Sequence, residues 1–198
     1  MPGLRYPDDQ IAGSLGRQFL RRFRVVLDYA ARTMTLSRAG GAPLDGSPFF
    51  ETSAILVDGY RGDKPAGMFV VDSASYTPGV MDARFVAAET GLSIFSDSVT
   101  RINQGPYLFK LTMPDLTVCG VPFTKFPATA VDLRNMSRQV GVNVRGVIGY
   151  SLLRLCRVEI DFANQRLRLT RTASPAAPAG EPPAASPPVA PPGARPGS

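Results

Sequence analysis

Apolar residues recur along most of this chain at a spacing of two, in short runs broken by Gly, Pro or Asp. That is the patterning of strands. It predicts strands over residues 53–57, 68–72, 107–113, 116–121 and 126–131. Two stretches carry helix signals instead. Residues 82–90 open on an acidic cap and stop before Gly91, and residues 134–140 also stop before a glycine. Five or more short strands with one or two short helices predict a mainly β domain.

Composition divides the chain further. Residues 173–198 contain nine Pro and eight Ala. Such a segment cannot bury enough apolar surface to offset its ordering entropy, so a disordered tail is expected there. Residues 38–48, rich in Gly, Pro and Ala, read as a linker. Between them, residues 49–172 have the size of one small domain. An internal repeat relates the two ends of that division. The stretch from Gly13 to Ala30 aligns without gaps on the stretch from Gly146 to Ala163, an offset of 133, and the match continues through Met34-Thr35-Leu36 against Leu167-Arg168-Leu169. Each copy reads as an apolar-Gly turn, a helix of one or two turns, a strand ending in Asp-aromatic-Ala, a tight turn and a second strand. A fixed offset marks a duplicated unit. Residues 1–37 are thus expected to be the C-terminal remnant of a first copy, ahead of one complete domain.

The 198 residues include no His, no Trp and two Cys. Without His there is no Ser-His-Asp or Cys-His arrangement, no His-ligated zinc and no imidazole base. Two Cys cannot form a four-thiolate site, and no carboxylate cluster falls at ligand spacing, so neither a metal nor another cofactor is expected. Cys119 and Cys156 sit in apolar surroundings and read as small buried hydrophobes, with one disulfide left open. The formal charge is +6, and 19 of the 22 basic residues are Arg. These are scattered and little interleaved with aromatics, so a basic β-barrel binding nucleic acid ranks last. No run approaches the roughly 18 apolar residues of a membrane span. The first residues lack the charged-then-apolar pattern of a secretory signal. The expected location is cytoplasmic if the chain is complete, and periplasmic or extracellular if a segment precedes it.

The remaining chemistry centres on Asp72, which follows the apolar run Met68-Phe69-Val70-Val71 and precedes Ser73-Ala74-Ser75. On pattern alone it reads as a strand-end carboxylate capping a turn. Taken with the repeat, Val71-Asp72-Ser73-Ala74-Ser75 resembles the Asp-Thr/Ser-Gly-Ala/Ser loop of the retropepsin-like aspartic proteases. Downstream, Gly146-Val147-Ile148-Gly149, running into Tyr150-Ser151-Leu152-Leu153, resembles that family's apolar-apolar-Gly motif. The resemblance covers residues 53–170 and is nearest to bacterial aspartyl-protease-family proteins with two such domains in tandem.

The resemblance implies a retropepsin-like closed β-barrel, or acid-protease half, and an aspartic endopeptidase acting on a peptide or protein. In that family two Asp loops meet across a twofold axis and share one proton, because like charges about 3 Å apart cannot both ionise. The ionised carboxylate activates a water and the protonated one donates to the developing oxyanion. Carried over, Asp72 is the catalytic carboxylate and Ser73 the hydroxyl residue that bonds across the axis. Ala74 stands where the family has Gly, and its methyl is expected to crowd the pair or shift the loop. The chain also has a single such loop, so the pair requires either a homodimer or an N-terminal retropepsin-like half. The alternative is a catalytically silent domain of the same fold that binds peptide or scaffolds an assembly.

Overall fold

The computed structural model describes residues 15–75, 79–90, 100–101 and 109–172. Gly13, Ser14, Tyr76, Thr77, Pro78, the start of the strand expected over 107–113 and the tail at 173–198 lie outside them. The chain opens with a short helix, α1 (Arg17–Leu20), and a hairpin of β1 (Phe23–Asp28) and β2 (Thr33–Arg38). Two short strands, β3 (Ser47–Pro48) and β4 (Phe50–Glu51), precede the hairpin of β5 (Ile55–Arg61) and β6 (Lys64–Asp72). Next come β7 (Val80–Asp82), α2 (Ala83–Thr90), β8 (Thr100–Arg101), β9 (Phe109–Val118) and β10 (Val121–Val131). The last elements are α3 (Arg134–Val140), β11 (Val144–Gly149), α4 (Tyr150–Leu153), β12 (Cys156–Asp161) and β13 (Arg166–Arg171).

The protein is mainly β, as the patterning predicts. Strands β5, β6, β11, β7, β10 and β9 pair in that order, and β9 pairs back onto β5 through Gly59↔Val118 and Tyr60↔Thr117. This closes a six-stranded barrel, which removes the unpaired edges an open sheet would carry. Both predicted helices form, at 83–90 and 134–140. The strands expected over 107–113, 116–121 and 126–131 differ: the described residues form two long strands, β9 and β10, joined by a two-residue turn at Cys119-Gly120. Pro114 and Pro122 read as breaks, yet both sit inside the ladder. Pro114 has no N–H to give and stands opposite Lys125, at the pair the ladder skips. Cys119 and Gly120 take φ of 49° and 76°, the left-handed pair that matches the twist of a tight hairpin.

Alternation along the strands sorts the apolar side chains into two cores. Val57, Phe69 and Ile148 point into the larger core with Phe85, Met113, Leu116 and Phe123. Their neighbours Leu56, Val70 and Val147 point outward to a second core with Leu133, Val140 and Val144 beneath α3. The run 68–71 is continuously apolar because β6 is covered on both faces.

The larger core continues onto a five-stranded sheet ordered β2-β1-β12-β13-β3. Helix α1 with β1 and β2, and helix α4 with β12 and β13, begin and end at positions separated by 133 throughout. In the β1–β12 ladder Val26 pairs with Glu159, its own counterpart at that offset. Arg24 pairs with Asp161 and Asp28 with Arg157, which are the same pair exchanged. An approximate twofold axis therefore passes through the Val26–Glu159 pair. Ion pairs repeat across it, with Arg24 Nη2 2.7 Å from Asp161 Oδ2 and Arg157 Nη1 3.6 Å from Asp28 Oδ2. Both hairpin loops hold four residues, and the last of each, Arg32 and Gln165, has φ of 55° and 50°. Residues 38–48 run along this sheet: Leu44 is buried, its N–H donates to Asp161 Oδ2 at 3.2 Å, and β3 pairs with β13.

Candidate functional site

Strand β6 carries Asp72 as its last residue, and β11 lies beside it in parallel, pairing Val147↔Val70, Ile148↔Val71 and Gly149↔Asp72. The Asp loop and the Gly motif, far apart in sequence, are thus adjacent strand ends. Residues 146–149, expected as a turn, instead finish β11, which is pinned between β6 and β7. Gly146 makes that close approach possible. A Cβ there would stand 2.7 Å from the Val80 carbonyl oxygen, 2.8 Å from Met81 Sδ and 3.0 Å from Phe69 Cδ1. Gly149 then takes an extended conformation at the head of α4.

Asp72 is half-buried, and Ser73 and Ala74 are exposed. The Ala74 N–H donates to Asp72 Oδ1 at 2.9 Å, and the Ser75 N–H donates to the Asp72 carbonyl at 3.2 Å. The Ser75 carbonyl in turn accepts the Tyr150 N–H at 2.8 Å, tying the loop to the start of α4. These bonds form the turn that a strand-end aspartate favours. They also give the carboxylate a backbone N–H from Ala74. Ala74 is not in the left-handed region, so its methyl imposes no backbone strain. Among the described residues Asp72 makes no ion pair, and no cluster of three or more His, Cys, Asp or Glu could hold a metal.

An aromatic pair includes Tyr150, whose N–H holds the loop. Tyr150 packs edge-on against Tyr29 of the β1–β2 turn, with ring centroids 5.5 Å apart. The Tyr29 hydroxyl is buried without a hydrogen-bond partner among the described residues, and burial, then Tyr150, push its pKa up to about 12. The repeat carried a signal for this: the counterpart of Tyr29 is Phe162, so the hydroxyl is the added group.

Other titratable groups have structural work. Asp82 is buried; burial raises its pKa, but the Arg84 side chain and the N–H groups of Leu133 and Phe85 outweigh this and hold it below the usual carboxylate range. It caps α2 and anchors the start of the α3 segment through Leu133. Arg84, Arg134 and Arg138 line a shallow groove of about 430 Å³ beside α3. Cys119 and Cys156 are free thiols, and burial pushes both upward, Cys119 to about 12. Neither is a thiolate nucleophile at neutral pH. No helix among the described residues is long and apolar enough to cross a membrane.

No protein-family model matches the chain, and no curated protein matches it either. Among solved structures, it is similar to a retropepsin-like aspartic protease from Rickettsia conorii. That likeness has a TM-score of 0.43 and 14% identity, and covers 63% of this chain and 87% of that one.

Proposed function

We propose that this chain supplies one half of an aspartic endopeptidase site, with Asp72 as one of two carboxylates that share a proton and activate water for attack on a peptide bond. The observation that carries this reading is the parallel pairing of Gly149 with Asp72, which joins the Asp loop to the Gly motif at one strand end. The N–H of Ala74 on Asp72 Oδ1 supports it, since a carboxylate oriented by a backbone donor is held in place for proton transfer. Ser73 is the hydroxyl that bonds across to the second loop, and Ser75 fixes the loop against Tyr150.

A single carboxylate cannot share a proton with itself, so the test brings two loops into one molecule. Residues 49–147 are joined directly to Leu15 of the full chain, repeating the spacing at which the present barrel precedes Ile148. This two-barrel polypeptide is assayed against a peptide library between about pH 4 and 7, the window of proton-sharing carboxylates. Cleavage is expected toward the acid end, and Asp72→Asn in both copies should lower it by at least about 1,000-fold. A two-barrel polypeptide that is folded and docked yet cleaves nothing would overturn the catalytic reading and leave a catalytically silent domain of the same fold.

A further inference from the structure

The helix and hairpin at the start of the chain expose what their counterparts bury. Leu15, Phe19 and Met34 are 54%, 42% and 45% exposed, whereas Ile148, Leu152 and Leu167, each 133 residues later, are 0%, 3% and 0% exposed. The later three lie in the larger core, where the barrel meets α4, β12 and β13. Leu20, Phe23, Leu27 and Leu36 are only partly buried, while Leu153, Cys156, Ile160 and Leu169 at the matching positions are buried. Such a concentrated apolar face on one unit marks a contact surface rather than scattered surface hydrophobes.

We infer that this face of α1, β1 and β2 is the seat of a second six-stranded barrel like that of residues 49–149, carried by a segment with no closing hairpin of its own, and not by a second copy of this chain. The inference names the partner of the half-site proposed above and rests on that reading only for its catalytic consequence. Three observations select this occupant. The contacts that the later unit makes with its barrel are available, position for position, on the earlier one. The approximate twofold through Val26 and Glu159, perpendicular to the sheet because β1 and β12 are antiparallel, carries α4, β12 and β13 onto α1, β1 and β2 and the present barrel to a place on the same face of the sheet, over α1, β1 and β2. A copy of this chain does not fit the place. Among the described residues each copy has two hairpin units and one barrel, and that barrel is already packed on its own α4, β12 and β13. Strand β12 is likewise filled on both edges, by β1 and β13, so it has no edge left for pairing with an identical chain.

Hydroxyl-radical footprinting of Phe19 and Met34, read by mass spectrometry, tests this on the full chain and on the polypeptide with residues 49–147 joined to Leu15. In the full chain both residues should oxidise as exposed side chains. In the two-barrel polypeptide oxidation should fall about tenfold, as expected when a side chain passes from the exposure of Phe19 to that of Leu152. Unchanged oxidation in the two-barrel polypeptide overturns the inference. So does a full chain that sediments as a discrete dimer with Phe19 and Met34 protected, which would make a second copy the occupant, or their protection in a monomer. Peptide cleavage is read separately: protection without cleavage leaves the seat standing and removes the catalytic reading, while cleavage without protection does the reverse.

Discussion

Tyr29 and Phe162 open equivalent four-residue hairpin turns, but only Tyr29 brings a hydroxyl, and it has no hydrogen-bond partner among the described residues. A buried donor left unsatisfied costs about 1–3 kcal/mol. Tyr29→Phe is therefore expected to leave the fold unchanged and to stabilise the chain by about 1 kcal/mol, seen as a higher urea midpoint at constant slope. A lower midpoint would mean that the hydroxyl is satisfied. Asp161 shows the opposite case. It is buried, and although burial raises its pKa, Asn164, Arg24 and the N–H groups of Asn164 and Leu44 together hold it below the ordinary value. A carboxyl depressed on folding adds stability above its unfolded pKa, near 3.9, and that contribution fades as pH falls through the folded value. The urea midpoint should thus drop between pH 7 and about pH 3. Asp161→Asn should lower it at pH 7 and lessen the acid drop; an unaltered pH dependence would remove Asp161 from that account. At this scale the sequence displayed Asp72 plainly, because a carboxylate after four apolar residues is conspicuous. The N–H of Ala74 on its oxygen was not legible, since residue type alone does not fix backbone direction in a turn.

Between residues and the whole molecule, strand ends decide where chemistry sits. Gly146 lets β11 enter between β6 and β7, and this entry sets Gly149 beside Asp72. Gly146→Ala forces a methyl against a backbone oxygen and a packed sulfur, an overpacking expected to cost about 1–3 kcal/mol. Thermal denaturation of that variant should show the loss. A melting temperature equal to wild type would mean that β11 has room to shift and that Gly146 does not set the strand spacing. The helices at 83–90 and 134–140 were legible because acidic caps and terminal glycines act locally. The hairpin of β9 and β10 was only half legible: Pro114 and Pro122 signal breaks, and their tolerance depends on which ladder positions need an N–H. The inward and outward sides of the run 68–71 were equally hidden, because both faces of β6 are covered.

For the whole molecule, the offset of 133 visible in the sequence corresponds to an approximate twofold axis in the sheet, while the exposure of one unit and the burial of its counterpart became visible only in three dimensions. The central claim is that Asp72 acts as one member of a pair across such an axis. Groups that share one proton act as a unit, so removing either should cost as much as removing both. The most direct measurement is the initial rate of cleavage of one peptide at about pH 5 by the two-barrel polypeptide carrying Asp72→Asn in neither copy, in either copy alone, or in both. The account predicts that each single substitution abolishes cleavage as completely as the double one. A single variant that keeps half of the rate or more would contradict it.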